Sequence, residues 1–262
     1  MIDIHHHLLY GLDDGAKNLE MSIAMAEAAV ANGITHVACT PHANYQYTFD
    51  PQKNRERLGE LQELFKGRLT LGLGCDFHLS FDNLEDQSLN PRKYSLNGKN
   101  YLLVEFPDFS IPDTMTEALY GLNSRGAIPI ITHPERNPML IARPNRMIEW
   151  LRSGCLIQIT AGSLLGRFGN RATTMCQDLI EKNWVHFIAS DAHNVTSRPP
   201  NMREAHQVLV KRYGSETADR LAIHNPRAAF YGEPLPRQPL PQGLDDDMPA
   251  KRPGLLSRIF SR

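Results

Sequence analysis

Residues 1–14 read MIDIHHHLLYGLDD: an apolar start runs into three histidines and then into a loop with two aspartates. In a strand successive side chains point to opposite faces, so His5 and His7 share a face and His6 points away. Two imidazoles at a strand end are half of a metal site, although the same letters also suit a tag remnant or a surface accident. A tag would be longer and set apart by linker residues. The remaining ligands must then come from other strand ends.

The chain supplies such ends in series. NLEMSIAMAEAAVANG repeats apolar residues at Leu19, Ile23, Ala26 and Val30 and stops at Gly33, which predicts an amphipathic helix with a glycine after its last turn. ITHVACTPH follows as a buried strand. Asp50-Pro51 is a helix N-cap with proline at the first position, and Leu58, Leu61 and Phe65 carry the next helical stripe. Strands LTLGLGC, YLLVEF, AIPIITH, CLIQIT and VHFIAS then alternate with helices around 114–125, 145–153 and 173–183. Seven strands alternating with helices predict an α/β fold, a (β/α)7 barrel in a single domain rather than an open sheet.

Nearly every strand ends in a residue that can bind metal. His5 and His7 end the first, His42 the second, Asp76 the third, Glu105 the fourth, His133 the fifth, and Asp191 with His193 the seventh. The C-terminal rim of a parallel barrel is where loops from different strands converge. Eight such residues at one rim are hard to explain as packing. Imidazole mixed with carboxylate suits zinc, manganese, iron or cobalt, and Asp14 in LDDGA adds another oxygen, so the set exceeds what one ion takes. Two or three ions and metal-assisted hydrolysis follow. Arg136, three residues past His133, and Arg198, five past His193, reach the same rim with the planar fork that suits phosphate.

His6 is expected to be structural, and His36, His186, His206 and His224 to lie away from the rim; His78 shares a face with Asp76 only if that strand continues. Net charge −1 gives no drive toward nucleic acid. Four cysteines without a C-x-x-C pair read as reduced thiols, none with a phosphate-loop setting, and there is no glycine-rich nucleotide loop. No apolar run is long enough for a transmembrane span, and no signal peptide is expected.

MIDIHHHLLYGLDDG, CTPH, YLLVEF, ITHPERN and IASDAHN followed by SRPPNM, in that order and spacing, resemble the CpsB/CapC (YwqE-like) bacterial tyrosine-protein phosphatases of the polymerase and histidinol phosphatase (PHP) superfamily. The likeness covers 1–231, a PHP metallophosphatase domain. It implies a distorted (β/α)7 PHP barrel with a three-metal, usually manganese-dependent centre. The implied substrate is phosphotyrosine on a membrane-bound autokinase that controls capsule or exopolysaccharide synthesis. By matching motif, His5, His7 and Asp191 would hold one ion, Asp14, His42 and His193 a second, and Glu105 and His133 a third. Asp76 would bridge the first and third, and Arg136 and Arg198 would bind phosphate. Asp76 departs from the family, which usually has glutamate there, one methylene longer.

Three rivals remain. Another PHP phosphoesterase, such as a histidinol-phosphate phosphatase, differs in its substrate. An amidohydrolase would need a carboxylated lysine on a middle strand, and none stands there. A non-catalytic phosphotyrosine-binding scaffold would bind without releasing phosphate. Residues 232–262, with six prolines, read as a linker ending in the short amphipathic basic tail LLSRIFSR. A cytoplasmic location is expected, peripheral to the inner membrane face through the kinase partner or this tail, and a homo-oligomer is compatible with the sequence.

Overall fold

All seven expected strands form, but two of them are broken. The structure is a computed structural model that describes residues 1–244. β1 (Ile2–His6), α1 (Leu19–Ala31), β2 (His36–Cys39), β3 (His42–Ala43), α2 (Pro51–Leu64), β4 (Thr70–Leu73), β5 (Asp76–His78) and α3 (Phe81–Leu89) make the first half. The second half holds β6 (Tyr101–Glu105), α4 (Thr114–Ser124), β7 (Ile128–Thr132), α5 (Pro138–Ala142), α6 (Arg146–Arg152), β8 (Leu156–Thr160), α7 (Ala161–Leu164), α8 (Gly169–Glu181) and β9 (Phe187–Ala189). It ends with α9 (Met202–Tyr213), α10 (Ser215–Asp219) and α11 (Asn225–Tyr231).

Local chemistry explains the helix starts. Asn18 accepts from the Met21 amide to cap α1, and Asp50 accepts from Gln52 and Lys53 to cap α2 ahead of Pro51. α8 begins four residues before the expected Thr173. The apolar periodicity did not mark α3 or the block α9–α11.

The strands make two wholly parallel sheets, in the orders β1-β2-β4 and β3-β5-β6-β7-β8-β9. β3 continues β2 past Pro41, which has no amide proton to give a ladder. β5 continues β4 past Gly74, where a Cβ would lie 2.5 Å from Leu96 Cδ2. Beyond β9, the Asp191 amide donates to the His5 carbonyl and the His7 amide to that of Ala192, both at 2.9 Å. A parallel bridge pairs His6 with Ala192.

Parity along the strands separates core from site. Ile2 and Ile4 pack in a cluster with Ala38, Leu103, Ile130 and Ala189. Two residues on from Leu103, Ile130 and Ala189 come Glu105, Thr132 and Asp191, on the same face. On β1, three steps from Asp3 to His6 oppose only two steps from Val37 to Cys39. That bulge turns His5 and His7 to the side Ile2 and Ile4 occupy.

The expected linker is corrected over its first part. The Gln242 amide donates to the Lys182 carbonyl, and Tyr101, Asn183 and Trp184 side chains donate to the carbonyls of Glu233, Leu240 and Gln242. Proline removes donors but leaves carbonyls free to accept, so residues 233–244 form a strap across the end opposite the strand C-termini. LLSRIFSR lies outside the described residues. All four cysteines are free and buried, and among the described residues no helix is long and apolar enough to cross a membrane.

Candidate metal centre

All eleven candidate site residues converge at the C-terminal ends of the strands. His5 Nε2 lies 3.4 Å from Asp76 Oδ2 and 3.4 Å from Asp191 Oδ1, and His7 Nε2 is 3.4 Å from the same Asp191 oxygen. Asp14 Oδ1 stands 3.4 Å from His42 Nε2 and 3.3 Å from His193 Nε2. His42 Nδ1 faces Asp76 at 3.4 Å and Glu105 at 3.6 Å, while His133 Nε2 is 3.8 Å from each of those carboxylates.

Among the described residues three groups are tight enough to share an ion: His7 with Asp14, His42 and His193; His5 with His7 and Asp76; and His42 with Asp76 and Glu105. Asp191 and His133 border these groups without completing one. Despite its shorter side chain, Asp76 reaches His5, His42 and His133. His78, whose place the sequence leaves open, sits at the edge with Nδ1 3.7 Å from Glu105.

The donor set fits divalent cations. Two ligands each about 2.1 Å from one tetrahedral ion stand about 3.4 Å apart, which matches these separations. His42 Nδ1, Asp76 Oδ2 and His193 Nε2 are buried with no hydrogen-bond partner in the protein, and a buried polar atom is costly unless something satisfies it. Burial opposes charge on His5, but Asp76 and Asp191 outweigh it and push its pKa up to about 9. For His42 burial is outweighed by Asp14, Asp76 and Glu105, and its pKa rises to about 10. Asp76 and Asp191 are held well below the carboxylate range: burial works against their charge, and His5 on the first and Arg136 with His5 on the second overcome it. His193 goes the other way, to about 4, through burial and the neighbouring His7.

Arg136 Nη2 and Arg198 Nη2 both donate to Asp191 Oδ2, at 2.7 and 2.6 Å. Asn194 Oδ1 gathers the amides of Thr196 and Arg198 and shapes the loop that delivers Arg198. His133 and Asp191 hold left-handed φ values of 36° and 52°. Left-handed backbone at such residues concentrates where a site over-determines it.

Sequence reasoning missed the groups that orient the imidazoles. His5 Nδ1 is 2.8 Å from Gln158 Oε1 and His7 Nδ1 2.7 Å from Asp13 Oδ2, so each Nδ1 is engaged and each Nε2 turns to the centre. Asp13 also accepts from the amides of His42 and Gly15. The signals were present: Asp13 is the neighbour of Asp14, and Gln158 is the one polar residue before the last position of CLIQIT. Gly15 is required, because a Cβ there would lie 2.3 Å from the His7 carbonyl oxygen. His36, His186 and His206 pair elsewhere, with Tyr231, the Ile157 amide and Asp219. His6 is buried with both ring nitrogens unpartnered, and burial drives its pKa down to about 3.

Parallel strands delivering a histidine and carboxylate cluster with two arginines define the class of metal-dependent hydrolases. The particular family follows from comparison: residues 1–231 match the model described as capsular polysaccharide synthesis, CpsB/CapC, and the chain belongs to that family. It is 38% identical to the tyrosine-protein phosphatase YwqE of Bacillus subtilis, over 91% of this chain and 95% of that one. It is 30% identical to the tyrosine-protein phosphatase CpsB of Streptococcus pneumoniae, over 87% and 97%. A crystal structure from work on YwqE and CpsB, described as unique metal-dependent tyrosine phosphatases, superposes with a TM-score of 0.85 at 37% identity, covering 92% of this chain and 99% of that one.

Proposed function

We propose that this chain is a metal-dependent protein-tyrosine phosphatase that hydrolyses phosphotyrosine on a bacterial, membrane-bound tyrosine autokinase and so regulates capsule or exopolysaccharide synthesis from the cytoplasm. The observation that carries the reading is the convergence of orphaned buried donors on His42, Asp76 and His193 with two arginines already aimed at one carboxylate. His5, His7 and Asp191 would hold one ion, Asp14, His42 and His193 a second, and Glu105 and His133 a third, with Asp76 shared; the proposed metal is manganese, two or three ions per chain. The two sheets are halves of one distorted seven-stranded barrel, a reading supported by the hydrogen bonds that join β1 to the segment after β9. Residues 1–231 are the catalytic domain and 232–262 its appendage.

Divalent ions in such a centre polarise the phosphoryl oxygens and activate water near neutral pH. The protein's own part is binding and orientation. Arg136 and Arg198 share Asp191 Oδ2 with one nitrogen each and keep further donors for the outer phosphoryl oxygens. Gln158 and Asp13 hold His5 and His7 in the tautomer that presents Nε2. No thiol takes part, because the cysteines are buried and burial pushes Cys39 and Cys75 up.

The test is phosphate release from a phosphotyrosine peptide by metal-stripped protein titrated with manganese, with metal content measured alongside. Activity restored as two or three ions bind is the expected result. Metal bound without phosphate release would sink the phosphatase reading and leave a binding protein.

A further inference from the structure

The metal centre explains phosphate hydrolysis but not a preference for tyrosine. Among the described residues, five of the eleven exposed large hydrophobic side chains, Tyr45, Phe81, Phe109, Phe168 and Val195, stand in segments that follow strands at this one rim. Exposed apolar side chains thus flank a highly charged centre, and two rings of these segments, Tyr47 and Phe168, contact its candidate residues.

Tyr47 stacks on the imidazole of His42, with ring centroids 6.1 Å apart and an interplanar angle of 14°. Its loop is built rather than loose. Asn44 Oδ1 accepts from the amides of Gln46 and Tyr47 at 2.9 and 3.0 Å, and the Asn44 amide donates to the Tyr47 carbonyl at 3.0 Å. Phe168 lies under the guanidinium of Arg136, 4.8 Å from ring centre to Cζ. Residue 162, beside that ring, is glycine, and a Cβ there would lie 2.9 Å from Phe168 Cε2. The row Tyr47, His42, His7, Asp191, Arg136, Phe168 is continuous: the His42 and His7 rings are 4.5 Å apart, His7 is 3.4 Å from Asp191, and Asp191 is 2.7 Å from Arg136. One aromatic ring thus stands at each end of this row, and of the two it is Tyr47 that lies against a candidate metal ligand.

We infer that Tyr47 is a specificity-determining wall of an aryl slot beside His42, which favours a phosphorylated ring over a phosphorylated alkyl hydroxyl; this rests on the phosphatase reading. In an aryl phosphate the ring begins directly beyond the bridging oxygen, so a wall that contacts it must adjoin the metal centre, as the Tyr47 ring does through His42. Phosphoserine presents only a methylene at that depth. An aromatic pair supplies about a tenfold preference, about 1.4 kcal/mol.

The test uses the full manganese-loaded chain and reads binding as well as turnover. Calorimetry compares phenylphosphonate with methylphosphonate, which have no leaving group, and kinetics compares matched phosphotyrosine and phosphoserine peptides. Tyr47→Leu should lower the phenyl-to-methyl affinity ratio about tenfold, with Tyr47→Phe keeping it. The ratio of kcat/KM values should follow, mainly through KM. Equal loss for both phosphonates in Tyr47→Leu would make Tyr47 a strut for His42 and overturn the slot, as would no loss for either. If wild type binds phenylphosphonate preferentially yet leaves phosphotyrosine peptides intact, the substrate reading falls and the slot survives for another aryl phosphate.

Discussion

Asp191 is where the chemistry of this site is most concentrated. Its carboxylate meets His5, His7, His193, Arg136 and Arg198, and its backbone holds φ at 52° to do so. Candidate ligands such as this one were legible because ligand-type residues are conspicuous at strand ends. Their orienting partners were not, because a glutamine inside an apolar strand carries no sign of what it faces. Gln158 gives the first prediction at this scale. Its Oε1 engages His5 Nδ1, whereas its Nε2 is buried without a partner. Gln158→Leu should therefore weaken metal affinity about 10- to 100-fold and cost about 1–2 kcal/mol of stability, because it leaves His5 Nδ1 buried and unpaired while also removing an unsatisfied donor. Equilibrium metal binding and urea unfolding of the same variant check both halves, and unchanged affinity would remove Gln158 from the site.

The elements follow from periodicity wherever one face is buried. Helix stripes and the seven strands were legible on that ground, and the Asp50 cap from its Asp-Pro pair. The breaks at Pro41 and Gly74, and the bulge in β1, were not, because each depends on what the neighbouring strand offers. The strap 233–244 is the clearest case. Its prolines mark a linker in sequence, yet its carbonyls accept from Tyr101, Asn183 and Trp184. At about 1 kcal/mol net for each of these bonds and the Gln242–Lys182 pair, truncation after Gly232 should cost roughly 2–4 kcal/mol. Urea unfolding reads that loss. The metal centre lies at the other end of the strands, so metal content should be retained; a chain of full stability after truncation would return the segment to a linker.

At the scale of the whole molecule, donors from β1, β3, β5, β6 and the segments after β7 and β9 meet at one centre, so cations that bind there stabilise the folded chain by linkage. The pH dependence has a definite sign. In the metal-free protein the raised values at His5, about 9, and His42, about 10, add stability below the ordinary histidine pKa, and that contribution is lost as pH rises through 9 to 10. The same protons compete with cations, so loading at neutral pH releases protons and affinity climbs as pH rises. The melting-temperature gap between loaded and stripped protein should therefore widen from pH 6 to pH 9, and calorimetry in two buffers of different ionisation enthalpy should detect proton release. A gap that narrows over that range would contradict the ligand assignment to His5 and His42. The sequence by itself determined the α/β alternation, the family and the residue types at each strand end, because hydrophobic period and ligand chemistry are local properties of the chain. Only the tertiary structure decided how those ends meet, since the bulge that turns His5 and His7 inward, the hold of Gln158 and Asp13 on the imidazoles, and the rings beside His42 and Arg136 arise from contacts between residues far apart in the chain.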